Sequence, residues 1–449
     1  MKNIEEKKIG IIGAVRSGLG VAKLAKRLGA YPFVSDLSPK EKIERNLSVL
    51  DAEEIQYESG GHTDRLFNCD FLITSPGVPS NSQVLIEAAK RNIKVISEIE
   101  FASWFCKGVI ISITGTNGKT TTTTLCAHVL NNCGVKTYPA GNIGTAFSEI
   151  VLDVKDNEYV VLETSSFQLD NIDSFKPKIS LILNITPDHL ARYGHDISNY
   201  INSKLNVFKN QDANDYLILN AGDELTPKEI SNLNVHRLYI SLNNAQPDGI
   251  YLQNKQIIFK KDNAVEFSCT TDDISLRGEH NYLNAMAVIS IAKIFNLNNE
   301  KIIEALGSFP GVEHRLEFVR ELDGVKYIND SKATNVDSVW YALRSFEEPI
   351  FLILGGTDKG NDYNQIKDIV IKNVKKIYAI GSSADKVFNY FHQFVKVEVK
   401  KSIEECISAA NKETRENEVV LLSPACASFD MFNDYEHRGR VFKEAVNNL

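Results

Sequence analysis

The segment GVIISITGTNGKTT, residues 108–121, is the strongest indication of the fold in this sequence. It opens with an apolar, β-branched run typical of a buried strand, turns through two glycines and continues into the helical pattern 121–132. Glycines between a strand and a helix let backbone NH groups converge on phosphate oxygens, and the helix N-terminus adds partial positive charge. The segment therefore predicts a nucleotide phosphate loop, with a GxxGKT spacing shorter than the usual GxxxxGK[ST].

The side chains of this loop have distinct expected roles. Lys119 can bridge the β- and γ-phosphate oxygens, and the Thr120 hydroxyl can hold Mg²⁺. A plain glycine-rich turn is the alternative, but it would not require strand, GK[ST] and helix together. The residues expected to bind ATP here are Gly115, Thr116, Asn117, Gly118, Lys119, Thr120 and Thr121.

Two other segments also run from an apolar strand through glycines into a helical pattern, KKIGIIGAVRSGLG at 7–20 and PIFLILGGTDKGND at 349–362. Such units are typical of parallel sheets. We predict an α/β protein of three domains: a Rossmann-like domain at 1–106, a central P-loop ATPase-like domain with a mixed sheet at 107–311, and a C-terminal Rossmann-like domain at 312–449.

The predicted elements follow apolar periodicity. A more alternating stretch at 249–276 predicts antiparallel strands, and 281–295 predicts a helix. The other predicted strands are 9–12, 31–34, 71–74, 109–114, 159–163, 179–184, 216–220, 325–329, 350–354, 377–380 and 419–422.

The amino-acid composition indicates which kinds of molecule this protein binds. Of 449 residues, 43% are hydrophobic and 24% charged, and 50 basic against 58 acidic side chains give a net charge of −8. These values favour a globular protein that binds small molecules, and they disfavour binding to nucleic acid or to an anionic membrane. The start carries no apolar leader, no run is long enough to span a membrane, and seven scattered cysteines form no CxxC pair. We expect a cytoplasmic protein with reduced thiols.

Three further residues could have a role in catalysis or metal binding, but their positions in the sequence do not decide between that role and a solvated one. Glu163 ends a predicted strand and could supply the acidic Mg²⁺ ligand, although such a residue is usually solvated. His189 follows the strand 179–184, where a loop side chain can face a ligand or simply lie at the surface. Lys204 falls on the helical pattern 199–208, which by itself predicts a solvated surface charge.

The first and last glycine-rich loops are less specific. In GAVRSG the second glycine of GxGxxG is replaced by Val15, whose side chain would crowd a dinucleotide pyrophosphate, so a standard NAD site is not expected. Near the C-terminus, SPACAS at 423–428 predicts by itself a strand-to-helix turn with Ser428 as N-cap.

The motif TGTNGKTT resembles the ATP loop of the Mur ligase family. Motifs similar to others of that family follow in the same order: GNIG at 141–144, ETSSFQL at 163–169, NITPDHLARY at 184–193, GEHNYLN at 278–284, EHR at 313–315, NDSKATN at 329–335 and SPACASFD at 423–430. The resemblance implies an ATP-dependent amino-acid ligase. NDSKATN and SPACASFD resemble the member that joins D-glutamate to UDP-N-acetylmuramoyl-L-alanine, through an acyl phosphate, in peptidoglycan synthesis.

The resemblance also implies a cofactor set and residue roles. Two Mg²⁺ ions are expected, with Thr120, Glu163, His189 and a carbamylated Lys204 as ligands and with Lys119, His189 and Lys204 as catalytic residues. The other residues implied are Asn281, Asn284, Arg315 and Asp330 for ATP; Arg16, Ser17, Asp36, Ser75, Gly77 and Asn142 for the UDP substrate; and Lys332, Thr334, Lys359, Ser428 and Tyr435 for the amino acid. A monomer is expected.

Two alternatives remain at this point. One is another ligase of the family, such as folylpolyglutamate synthase or the ligase that adds the third peptide residue. The latter would be favoured by a DNPR-type loop, where this chain has GGTDKGND. The other is a nucleotide-binding switch without catalysis, which would not need Glu163, His189 and Lys204 together.

Overall fold

The computed structural model describes residues 2–226, 234–358 and 360–449. The chain divides into two compact units, one made of Met1–Ser275 and Asn281–Phe309 and the other of Leu276–His280 and Pro310–Leu449. The first unit contains two sheets and the second contains one. Helices alternate with the strands along the chain, which confirms the predicted α/β class.

The helices of the described residues vary from single turns to four turns or more. They are α1 (Arg16–Arg27), α2 (Lys40–Ala52), α3 (Asp64–Phe67), α4 (Gln83–Lys90), α5 (Glu98–Ser103), α6 (Lys119–Asn132), α7 (Phe147–Ile150), α8 (Ser166–Leu169), α9 (Ile197–Leu205), α10 (Glu279–Ile294), α11 (Asn299–Ser308), α12 (Val336–Arg344), α13 (Lys367–Asn373), α14 (Ala384–Phe391), α15 (Ile403–Glu413) and α16 (Tyr435–Asn447). Within the described ranges, no helix has both the length and the apolar composition needed to cross a membrane.

The first sheet is Rossmann-like. Its five parallel strands lie in the order β3-β2-β1-β4-β5. The strands are β1 (Lys8–Ile12), β2 (Tyr31–Asp36), β3 (Gln56–Ser59), β4 (Phe71–Thr74) and β5 (Val95–Ser97). Because Ile12 pairs with both Ser35 and Thr74, the loops that follow β1, β2 and β4 emerge at one edge.

The second sheet is mixed, as predicted. Its nine strands lie in the order β14-β13-β12-β11-β10-β9-β6-β8-β7, and only the β12–β13 and β13–β14 pairs are antiparallel. The strands are β6 (Val109–Thr114), β7 (Thr137–Gly141), β8 (Tyr159–Glu163), β9 (Ile179–Ile182), β10 (Tyr216–Asn220), β11 (His236–Ser241), β12 (Gly249–Gln253), β13 (Gln256–Lys261) and β14 (Ala264–Thr270). The phosphate-loop strand β6 lies between β8 and β9, so the residues that follow these three strands meet at one edge.

The third sheet lies in the second unit and has the order β15-β16-β20-β17-β18-β19, with only β15 antiparallel. Its strands are β15 (Glu317–Leu322), β16 (Val325–Asn329), β17 (Ile350–Gly355), β18 (Val374–Ile380), β19 (Lys396–Val399) and β20 (Glu418–Leu422). Every residue of β17 and β20 is buried, which explains why these strands are nearly continuous apolar runs in the sequence.

Several predicted element boundaries differ from the structure. The strand predicted at 179–184 ends at Ile182, because Asn184 leaves the strand to bind the phosphate loop. The helix predicted at 281–295 begins at Glu279 and ends at Ile294. Strands β3, β5, β7, β11, β15 and β19 were not predicted. The antiparallel stretch predicted at 249–276 is confirmed by the β12–β14 pairs.

Candidate active site

The phosphate loop joins β6 to α6 through two glycines in the left-handed region, Gly115 at φ 152° and Gly118 at φ 84°. A Cβ atom built on Gly118 would lie 2.6 Å from Asn284 Oδ1. Residue 118 therefore needs glycine for both its backbone angle and its space. The strand, loop and helix occur as predicted.

The side chain of Asn184, which follows the neighbouring strand β9, holds this loop. Its Oδ1 accepts a 2.9 Å hydrogen bond from Asn117 N, and its Nδ2 donates to Asn117 O at 3.2 Å. The Asn184 carbonyl also accepts from Thr116 N at 2.9 Å. The sequence interpretation gave this asparagine no role, because its partner lies 67 residues away.

Lys119 is folded against the loop that precedes it. Its Nζ donates to the carbonyls of Gly115 and Thr116 at 2.9 and 2.8 Å. The ammonium is therefore held among the same backbone groups that the sequence predicts will surround phosphate, and a small rotation of a flexible side chain would redirect it.

Thr120 and Glu163 form the predicted hydroxyl–carboxylate pair. Thr120 Oγ1 donates to Glu163 Oε2 at 2.7 Å, and Asn142 Nδ2 donates to Glu163 Oε1 at 2.9 Å. Thr120 and Glu163 are both buried, which excludes the solvated alternative for Glu163. A buried hydroxyl beside a buried carboxylate is a set of hard oxygen donors that fits Mg²⁺.

The next threonine of the loop adds a buried polar atom. Thr121 Oγ1 is buried and has no hydrogen-bond partner within the described part of the chain. Buried polar atoms are nearly always hydrogen-bonded in folded proteins. This hydroxyl therefore fits contact with a bound nucleotide, which is its predicted role.

Lys204 is the clearest correction to the sequence interpretation. The predicted surface charge is wrong, because the residue is only 2% exposed and its Nζ donates to Gly115 O at 2.7 Å. Burial, and secondarily the charge of Lys119, hold the pKa of Lys204 well below its ordinary value. A lowered pKa favours the neutral amine, which is the form that reacts with CO₂, and this fits the carbamate that the resemblance implies.

Helix α9, which carries Lys204, is fastened to the phosphate loop by a second contact. The Tyr200 hydroxyl lies 3.1 Å from Thr116 Oγ1, which also donates to Thr186 O at 3.1 Å. The Lys204 Nζ lies 4.6 Å from the Tyr200 ring centroid. These contacts join residues up to 89 positions apart, and only the order of the motifs could have suggested them.

His189 lies in the loop after β9 with a left-handed backbone at φ 53°. Its Nε2 is 3.5 Å from Asp188 Oδ2, and its ring meets that of Phe167 edge-on at 5.0 Å between centroids. The side chain is 44% exposed, so it remains open to a ligand while Phe167 restricts its orientation.

Asn281 and Asn284, predicted to contact ATP, lie together on α10. Both are buried, and Asn284 Nδ2 donates to Asn281 Oδ1 at 3.3 Å. Asn284 Oδ1 accepts from Thr122 Oγ1 at 3.1 Å. The structure thus brings these two predicted residues directly to the phosphate-loop helix.

The residues predicted to bind UDP in the first sheet lie around the loop after β1. Asp36 Oδ2 accepts from Ala14 N at 2.7 Å, and its Oδ1 accepts from Ser38 N at 2.7 Å, so the carboxylate shapes this loop. A Cβ atom on Gly13 would approach Ser75 Oγ to 2.7 Å. Of the remaining predicted residues, Arg16 and Gly77 are exposed, Ser17 is half-buried, and Asn142 lies instead beside Glu163.

In the second unit, Asp330 lies next to the loop of Arg315. Its Oδ1 accepts from Leu316 N at 3.2 Å, and its Oδ2 accepts from Ser423 Oγ at 2.8 Å. Burial raises the pKa of Asp330 to about 7, although the charge of Arg315 opposes this shift. The structure therefore brings two of the predicted nucleotide residues together within this unit.

The predicted amino-acid residues also fall in the second unit, except Lys359, which lies outside the described residues. The Lys332 ammonium lies 5.3 Å from the Tyr435 ring centroid, and the Tyr435 hydroxyl donates to Glu436 Oε1 at 3.1 Å. Thr334 is half-buried on the loop after β16. Lys332 and Tyr435 are thus neighbours, as a shared site requires.

Ser428 is buried in the loop after β20, but it is not a helix cap. Its carbonyl accepts from Phe432 N at 2.8 Å, and helix α16 begins only at Tyr435. The cap of α16 is Asp434, whose side chain accepts from His437 N. The prediction of Ser428 as N-cap is therefore wrong, and its hydroxyl is left for another role.

The chain is similar to known proteins over its whole length. Three family models match: the Mur ligase middle domain over residues 113–292, the Mur ligase glutamate ligase domain over 314–426, and the MurD N-terminal domain over 8–84. A protein of Chloroherpeton thalassium named UDP-N-acetylmuramoylalanine–D-glutamate ligase is 43% identical, with 100% of this chain and 99% of that protein covered. The chain belongs to the Mur ligase family.

Another relative of this Mur ligase carries the same name. The protein of Salinibacter ruber is 40% identical, with 98% of this chain and 97% of its own covered. Among solved structures, UDP-N-acetylmuramate-alanine ligase MurC from Thermotoga maritima matches with a TM-score of 0.64 and 19% identity, covering 98% of this chain and 99% of that one. MurF ligase from the same organism, in complex with ADP, matches with a TM-score of 0.60 and 14% identity over 100% of both chains. These two structures share the Mur ligase fold.

Proposed function

We propose that this Mur ligase joins D-glutamate to UDP-N-acetylmuramoyl-L-alanine, with cleavage of ATP to ADP and phosphate, in the synthesis of peptidoglycan precursors. The observation that carries the proposal is full-length similarity, at 43% identity, to a D-glutamate ligase. The geometry supports it, because Lys119, Lys204, Thr120 and Glu163 converge on one phosphate loop.

The reaction consists of two transfers. The carboxylate of UDP-N-acetylmuramoyl-L-alanine attacks the γ-phosphorus of ATP, which gives an acyl phosphate and ADP. The amine of D-glutamate then adds to the acyl carbonyl, and phosphate leaves as the amide forms. Little covalent chemistry is left to the protein, so its contribution is to position the reactants and stabilise the developing charge.

Residues of the first unit would stabilise charge and bind the metal ions. Lys119 would turn from the loop carbonyls to the transferring phosphoryl group and stabilise its charge. Thr120 and Glu163 would hold one Mg²⁺, and His189 with a carbamylated Lys204 would hold a second. When bound, Mg²⁺ neutralises charge between the β- and γ-phosphates.

The second unit would supply the amino acid. Lys332, Thr334, Lys359 and Ser428 would meet the two carboxylates of D-glutamate, with Tyr435 against its side chain. The neighbouring Lys332 and Tyr435 support this assignment. We propose domain boundaries at 106/107 and 311/312, since the strands of each sheet fall wholly within one of the three segments.

We also propose that the enzyme works in the cytoplasm, where ATP is available. The seven cysteines are all free thiols, as expected in a reducing compartment.

A substrate panel tests the proposed function. Release of ADP would be measured with UDP-N-acetylmuramoyl-L-alanine and, in turn, D-glutamate, L-glutamate, L-lysine and L-alanine. We expect turnover with D-glutamate alone, and Lys119→Ala should lower it by roughly 10²-fold or more. The exposed Lys90→Ala is the control for loss of a lysine. Turnover with another amino acid in place of D-glutamate would contradict the proposal.

A further inference from the structure

Arg192 joins two loops that lie far apart in the sequence. Its Nη1 donates to Pro76 O at 3.0 Å and its Nη2 donates to Val78 O at 2.7 Å, across separations of 116 and 114 residues. The planar guanidinium thus donates hydrogen bonds to two carbonyls of one turn at the same time. An ammonium group would not reproduce this paired geometry.

The turn that Arg192 contacts follows β4 and lies beside the loop after β1. Ser75 N donates to Ile12 O at 3.1 Å, and Val78 N closes the turn on Ser75 O at 3.1 Å. Ser75 Oγ is also the atom that a side chain on Gly13 would meet. Residues 75–78 are therefore part of the same surface as the proposed UDP site.

The other face of Arg192 packs on the loop of His189. The Arg192 Cζ lies 4.0 Å from the centroid of Phe167, the same ring that the His189 imidazole meets edge-on at 5.0 Å. Arg192 N also donates to His189 O at 2.9 Å. Arg192 thus contacts both the ring and the backbone that orient His189.

His189 needs such support. Its backbone φ of 53° is disfavoured for a residue with a Cβ atom, so the conformation persists only where surrounding contacts hold it. The short 3₁₀ helix Leu190–Tyr193 that follows carries Arg192. The Arg192 guanidinium makes long-range hydrogen bonds to the turn at 75–78.

We propose that Arg192 is a positioning residue that couples the UDP-binding turn to His189, so that a bound uridine diphosphate group stabilises the arrangement of His189 that serves the nucleotide site. This deepens the proposed function and rests on it. By linkage, the two sites must then raise each other's affinity by the same factor.

The test measures by calorimetry the factor by which each ligand raises the affinity for the other. Binding of a non-hydrolysable ATP analogue with Mg²⁺ is titrated with and without UDP-N-acetylmuramoyl-L-alanine, and the reverse titration must return the same ratio. We expect a coupling of roughly five-fold or more in the wild type. The coupling factor should fall to near unity in Arg192→Ala. It should also do so in Arg192→Lys, which keeps the charge but loses the hydrogen bond to one of the two carbonyls.

Arg65→Lys is the matched control, because the Arg65 guanidinium also lies over a phenylalanine ring, 4.6 Å from the Phe33 centroid, but donates its hydrogen bond to Gln56 Oε1. It should retain the wild-type coupling. A merely structural Arg192 would lower the melting temperature or both affinities and leave the ratio unchanged, which would overturn the proposal. So would a wild type without coupling.

The two proposals fail in different ways. If Arg192→Ala does not fold, Arg192→Lys decides the result. If the proposed function is wrong, the wild type does not form product from D-glutamate and the UDP substrate. If only the coupling is wrong, wild-type turnover is intact while the Arg192 variants keep the wild-type ratio.

Discussion

Thr120 donates a 2.7 Å hydrogen bond to Glu163, a residue 43 positions away that ends the neighbouring strand β8. The contact arises because β6 and β8 are adjacent and parallel, with Ile113 opposite Glu163. Their carboxyl ends therefore meet where the phosphate loop begins. The pair connects the loop hydroxyl to the acidic group that a magnesium site requires.

Glu163→Gln should weaken metal binding, since an amide keeps the shape of the side chain but carries no negative charge. We expect the Mg²⁺ concentration for half-maximal ADP release to rise by roughly ten-fold or more. Glu266→Gln, an exposed glutamate on β14 of the same sheet, is the control. An unchanged Mg²⁺ requirement in Glu163→Gln would remove this residue from the metal site.

Gly118→Ala should impair the phosphate loop through a clash as well as through backbone strain. Gly134→Ala is a close match, because Gly134 has φ 89° against 84° for Gly118 but nothing within 4 Å of an added Cβ. Both variants should lose roughly 1 kcal/mol from the left-handed backbone. Gly118→Ala should lose more stability, together with nucleotide affinity. Thermal unfolding and nucleotide titration measure the difference, and equal losses would refute the clash with Asn284.

Lys204→Ala should be nearly inactive, because the proposed second metal ion would lose an anionic oxygen ligand. Short carboxylic acids such as acetate should restore part of the ADP release, whereas primary amines should not. Lys204→Arg should remain inactive, since it keeps the positive charge and is not carbamylated.

The control for this series is Lys209→Ala, an exposed lysine just after the same helix. A structural lysine would behave in the opposite way and would tolerate arginine. Activity in Lys204→Arg, or an unmodified mass for the wild-type residue together with no rescue by acetate, would reject the carbamate.

Glu98 should make the stability of the first unit depend on pH. Burial raises its pKa from 4.5 to about 7, its Oε1 accepts from Ser148 N at 2.6 Å, and Glu149 is the nearby acidic group. The folded state therefore holds a proton that the unfolded state releases between pH 4.5 and 7. Its contribution, on the order of 3 kcal/mol, is complete at low pH and is lost as the pH rises through 7.

Glu98→Gln, which cannot ionise, should remove this dependence. Melting temperatures measured from pH 5 to pH 8 should fall less in the variant than in the wild type. Glu41→Gln, an exposed glutamate on α2, should follow the wild type. Parallel curves for Glu98→Gln and the wild type would contradict the assignment.

The local pattern of the sequence was sufficient for the class of the fold and for the phosphate loop. Strand β6, two glycines and helix α6 are contiguous, so apolar periodicity and the glycine positions determine them without distant contacts. The same holds for most buried strands. Element ends were less predictable, as at Asn184, because a side chain used elsewhere ended the strand early.

The environment of each polar residue, in contrast, depends on the tertiary structure. Lys204 has the spacing of a surface lysine, yet it is buried because β6 and α9 bring Gly115 O to within 2.7 Å across 89 residues. Arg192 likewise gains its partners only when the loop after β9 meets the turn after β4. The physical reason is that helical and strand periods depend on near neighbours, whereas burial and hydrogen bonding depend on which strands become adjacent.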